Sequence, residues 1–126
     1  MDEYKNWIKQ AEDDLLWAKD SFDDGHYSGV CFLSQQIVEK ALKGYLLFRG
    51  RPLRKIHAVL ALLENSTETD PTFESVRENV LFVSPMYIKT RYPSYEDIDQ
   101  FTKEQAEEAY DHAKSVLKFV KEKLSS

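Results

Sequence analysis

Cysteine is almost missing from this chain. Cys31 stands alone, which excludes an internal disulfide and a cysteine-based metal site. No apolar run approaches the roughly 20 residues needed to cross a bilayer, so no membrane association is expected. Neither G-x-x-x-x-G-K nor G-x-G-x-x-G occurs, and with them goes any phosphate-cradling glycine loop. His26, His57 and His112 lie far apart, and neither a His-Glu-x-x-His nor a Glu-x-x-His spacing is present. No metal and no cofactor are therefore expected. The opening Met1-Asp2-Glu3-Tyr4 is acidic and lacks the basic-then-apolar order of a secretion signal. A cytoplasmic, reduced setting follows as the expectation.

The 126 residues suffice for one domain, taken as 1–126, with 42% apolar and 31% charged residues, a globular mix. Charge is unevenly spread. Between Lys40 and Leu63 no carboxylate occurs, yet Lys40, Lys43, Arg49, Arg51, Arg54 and Lys55 all do, with His57 among them. Of the 17 basic residues, removing these six leaves 11 against 22 acidic ones. An acidic body thus carries one basic stretch, able to attract phosphate locally or to be neutralised by acidic surfaces of its own or a second copy.

Glycine and proline, four each, punctuate long periodic stretches. Tyr4, Trp7, Ile8, Ala11, Leu15, Ala18 and Phe22 recur at spacings of three and four, one face of a helix closed by Asp24-Gly25. Ala106, Tyr110, Ala113, Val116, Leu117, Val120 and Leu124 repeat the pattern, with Thr102 and Gln105 placed as a capping box. From Tyr27 to Arg49 the apolar band is wider, which predicts a central helix. Gln36, Glu39, Lys40 and Lys43 share the remaining stripe, expected to face outward and be braced by a Glu39–Lys43 pair. A short helix is expected over 56–65, a polar loop over 66–70, and a helix from the Asp70-Pro71 start signal to about Val83. Residues 87–101 read as a tyrosine-rich loop.

These elements predict an all-α protein: an up-and-down antiparallel four-helix bundle with an additional short helix. Phe32, Leu47, Leu81 and Phe82 fall off the main stripes, and this surplus apolar surface predicts a homodimer. Arg51 and His57, with five residues between them in the basic stretch, are the one pair that could hold a phosphodiester and move a proton. They are the candidate catalytic pair for cutting RNA through its 2′-hydroxyl, set against the simpler reading that His57 packs at the helix start.

Trp7, Ala11, Asp14, Leu15 and Ala18, followed by Tyr27, Cys31 and Phe32, begin a pattern that tightens at Gln35-Gln36-x-x-Glu39-Lys40-Ala41-Leu42-Lys43. It continues through Leu46, Gly50, His57, Leu60, Leu63 and Arg91-Tyr92-Pro93. With these residues the chain resembles the HEPN domain family over nearly its whole length. The resemblance implies a small helical bundle, commonly homodimeric, paired with a minimal nucleotidyltransferase in a two-component, often toxin–antitoxin, module. It also implies a link to nucleotide binding and, in some branches, metal-independent RNA cleavage by an arginine and a histidine near a late helix. Those two lie four to six residues apart, and from Tyr92 to Ile98, directly after Arg91, this chain has no histidine. The expectation is therefore a binding module in which Lys40, Lys43, His57 and Arg91 receive a nucleotide phosphate or an acidic partner loop, with a ribonuclease using Arg51 and His57 as the alternative.

Overall fold

Helix α1 (Glu3–Asp23) and helix α2 (Tyr27–Phe48) form where the spacing of apolar residues predicts them. The computed structural model describes residues 2–92 and 101–125. Gly25 ends α1 in the left-handed region, φ 81°, while the His26 N–H donates to the Ser21 carbonyl at 2.9 Å. Gly50 ends α2 in the same way, with the Arg51 N–H reaching back to Leu46 at 2.9 Å. Both are wrapped helix ends that a β-carbon would strain.

Helix α3 (Val59–Thr69) begins later than residue 56 and runs through the polar segment expected as a loop. Its hydroxyls make this possible by bonding to the preceding turn. Ser66 Oγ donates to the Leu62 carbonyl at 2.9 Å and Thr69 Oγ1 to the Ser66 carbonyl at 2.9 Å. Asp70 then caps a 3-10 segment, Pro71–Val76, which leads into α4 (Arg77–Val83). The start of the expected tyrosine-rich loop is instead helix α5 (Met86–Arg91), and residues 93–100 lie outside the described residues. Helix α6 (Lys103–Ser125) closes the chain, its Gln105 N–H donating to Thr102 Oγ1 at 3.0 Å as the capping signal requires.

The molecule is all-α, with no strand among the described residues. Fourteen of the 22 residues of α2 are buried, which makes it the central rod. Ile37 and Leu42 are wholly sheltered by the elements around it. Helix α1 runs antiparallel to α2, and Gly44 lets the two come close. A β-carbon there would lie 2.8 Å from Ile8 Cδ1 and 3.3 Å from the Tyr4 carbonyl oxygen. Helix α6 covers another side of α2, and α3, α4 and α5 fill the last side in short pieces. Tyr45 and Phe73, ring centroids 4.4 Å apart, sit deep in this packing, and Phe119 of α6 meets Phe73 edge-on.

Candidate functional site

The polar stripe of α2 does not face solvent. Glu39 is 4% exposed and Lys43 6%, and Lys43 Nζ donates to Glu39 Oε2 at 2.8 Å while lying over the Trp7 ring. Gln35 Nε2 and Gln36 Nε2 each donate to Glu39 Oε1 at 3.3 Å. Gln35 also donates to the His57 carbonyl at 2.9 Å, tying the segment before α3 onto α2. Lys40 is likewise committed, donating to Asp14 Oδ2 at 2.7 Å and so clamping α1 to α2. The expected outward placement of Lys40 and Lys43 is thus corrected. Around this side of α2 the packing of α1 closes over the stripe, and both ammonium groups serve as internal counter-charges rather than as a surface for ligand.

His57 is the point where this buried network reaches the surface. Its Nδ1 lies 3.2 Å from Glu39 Oε1, and its side chain is 54% exposed. A carboxylate paired with a lysine ammonium can only accept, so Nδ1 carries the hydrogen, and Nε2 accepts a hydrogen bond when the ring is neutral and donates one to an anion when it is protonated. The imidazole stacks on Tyr87 of α5, centroids 4.2 Å apart and planes 15° from parallel. The Arg91 guanidinium, one turn along α5, lies 5.5 Å from the same Tyr87 ring and 5.2 Å from the Phe32 ring of α2. Phe32 and Tyr87 are themselves 6.2 Å apart. A cationic guanidinium and an oriented imidazole therefore share one aromatic platform, with Glu39 beneath.

Arg51 does not join them. Its Nη2 reaches Glu68 Oε1 at 3.2 Å, toward the end of α3, while His57 is engaged with α2 and α5. Arg54 donates to Asn65 Oδ1 at 2.8 Å and Arg49 to the Tyr45 hydroxyl at 3.0 Å. The basic stretch is largely answered within the fold. Cys31, buried in α2, has its thiol pushed up to about 12 by loss of solvent, which makes it inert. No group of residues suited to holding a metal ion occurs among the described residues.

Of the sequence-predicted site, the structure brings His57 and Arg91 together and sets Lys40, Lys43 and Arg51 apart from their surface. Sequence reasoning missed Glu39, Gln35 and Tyr87 as parts of the site. Glu39 and Gln35 carried a signal, standing in the Gln35-Gln36-x-x-Glu39 segment where the family pattern tightens. Tyr87 carried only its place in an aromatic-rich segment.

An all-α bundle with an Arg–Tyr–His surface standing on a buried carboxylate is the class of protein so defined. The HEPN domain profile matches residues 4–123, and the chain belongs to that family. It is 32% identical to "Putative toxin MJ1304" of Methanocaldococcus jannaschii, over 95% of this chain and 87% of that protein. The crystal structure of TT1696 from Thermus thermophilus is similar at a TM-score of 0.88 and 36% identity, covering 98% of this chain and 99% of the other. ST0689, an archaeal HEPN homologue, is similar at 0.81 and 35% identity, over 98% and 99% of the two chains. The HEPN domain protein tm0613 from Thermotoga maritima gives 0.78 at 25% identity, over 95% and 98%.

Proposed function

We propose that this HEPN chain is the phosphate-receiving module of a toxin-type two-component system. It binds a nucleotide phosphate at Arg91 and His57 and acts with a minimal nucleotidyltransferase, as a homodimer. The observation that carries this reading is the shared Tyr87 platform, which holds an exposed guanidinium and an imidazole fixed from below by Glu39. A guanidinium offers paired donors to phosphate, and an aromatic surface beside it suits a base. Lys40 and Lys43 support the reading as scaffold, through Asp14 and Glu39. Calorimetric titration with ATP, and separately with a minimal nucleotidyltransferase from the same genome, tests it. Arg91→Ala is expected to weaken at least one of the two by about tenfold, the loss of one charge-assisted contact. Unchanged affinity for both overturns it.

A second reading, a metal-independent ribonuclease, is favoured by one feature. With Nδ1 occupied by Glu39, His57 Nε2 is free to take a proton beside Arg91. Incubation with labelled RNA in EDTA decides it: cleavage that disappears in His57→Ala supports the enzyme, and no cleavage at high protein concentration removes it.

A further inference from the structure

Helices α1 and α6 both pack chiefly on α2, and where they run side by side a groove is left between them. One part of it, of about 490 Å³, has Leu15 and Leu117 on its floor and Lys114 and Lys118 at its edge. A second part, of about 370 Å³, continues past Lys121 over Ile8 and Leu124, with Lys5 and Lys9 at its edge. The two share Lys121 and Ser125 and so adjoin along the groove, meeting where the Lys121–Glu12 pair joins α6 to α1.

The charge of this groove opposes that of the molecule. In a chain of net charge −5, five lysines line it against two carboxylates, Glu12 and Glu122. Lys121 is paired with Glu12, and Lys5 lies 3.9 Å from Asp2. Lys9, Lys114 and Lys118 are exposed and have no carboxylate within salt-bridge distance among the described residues. Lys114, Lys118 and Lys121 follow one another on the same face of α6, an arrangement that like-charge repulsion disfavours in an isolated helix. Of the three, Lys121 alone is answered by a carboxylate, Glu12, among the described residues.

We propose that the α1–α6 groove docks an acidic amphipathic helix of a partner protein. From Tyr4 to Leu15 the α1 wall extends about 16 Å, the length of roughly three helical turns. A helix of that length lays apolar residues on the floor and carboxylates against both edges. A lipid with one anionic head would engage cations at one end only, whereas these lysines run along both walls. The groove is separate from the Arg91–Tyr87–His57 surface and does not depend on its assignment.

The probe is a fluorescein-labelled peptide of about 12 residues, with leucines at helical spacing and glutamates flanking them, followed by fluorescence anisotropy. Binding is expected to weaken at least about tenfold in Lys114→Glu/Lys118→Glu, and equally with a scrambled peptide of the same composition. Raising salt from about 50 mM to 500 mM is expected to weaken it further. Arg91→Ala is expected to leave it unchanged. Both substituted lysines are exposed, so the variant retains its fold, checked by circular dichroism. No anisotropy rise at about 100 μM protein, or equal binding of the scrambled peptide, overturns the proposal. So does a two-copy mass in light scattering that falls to one copy in the double variant, which assigns the groove to a second chain. Sedimentation of the wild type, but not the variant, with phosphatidylglycerol vesicles overturns it in favour of a membrane surface.

Discussion

Glu39 decides more than any other residue here. Its two oxygens face Lys43, Gln35, Gln36 and His57, and every one of these groups is spoken for. Among the described residues no buried side-chain polar atom lacks a partner. Removing Lys43 would leave a buried carboxylate without its counter-charge, the costly way to break an internal ion pair. Lys43→Ala is expected to lower unfolding free energy in urea by about 3 kcal/mol. Lys114→Ala, on the exposed face of α6, is expected to stay within about 0.5 kcal/mol of the wild type. Equal effects of the two would show that Lys43 is solvated after all.

At the level of the elements, the junction from α3 to α4 shows how local chemistry overrides pattern. The Asp70 carboxylate accepts from the Thr72 N–H at 3.0 Å and from its hydroxyl at 2.6 Å, and Lys123 of α6 approaches its other oxygen at 3.0 Å. The Thr72 hydroxyl and then Lys123 hold this group at about 2, below its ordinary 3.8. Because the folded state lowers the value, the stabilisation is complete above about pH 4 and is lost as pH falls toward 2. Asp70→Asn keeps a capping oxygen but removes the charge that faces Lys123, and is expected to reduce stability by about 1 kcal/mol at neutral pH. The gap to wild type should narrow on thermal melts as pH drops below 4; a gap that persists at pH 2 would contradict the assignment. The three long helices were legible because each repeats apolar residues over many turns and ends at a glycine or begins at a cap. The run of α3 through Ser66 to Thr69 was not legible, since serine and threonine read as loop formers until their hydroxyls are seen bonded to the turn before. Helix α5 was hidden by its brevity, six residues around Tyr87.

For the whole molecule, the sequence pattern yielded the central place of α2, because a band that wide must be covered on several sides. It misjudged Lys40 and Lys43, because periodicity cannot tell a solvated stripe from one covered by a neighbour that brings Asp14 and Trp7. Half of the candidate surface, His57 and Arg91, was found through the family pattern; its floor, Glu39 and Gln35, belongs to tertiary contacts between segments some 18 to 22 residues apart. No helix among the described residues is long and apolar enough to cross a membrane. If the chain receives nucleotide as proposed, unfolding is opposed by mass action, and at about 100 times Kd of ATP the gain is about 2.7 kcal/mol. Differential scanning fluorimetry should show a rise in Tm for the wild type and about half that rise for Arg91→Ala, because tenfold weaker binding at the same ATP concentration still contributes about 1.4 kcal/mol. The network under His57 also constrains how such a protein can change over generations. One carboxylate both steadies the interior and orients the His57 imidazole, so a lineage that gives it up must rebuild the two together.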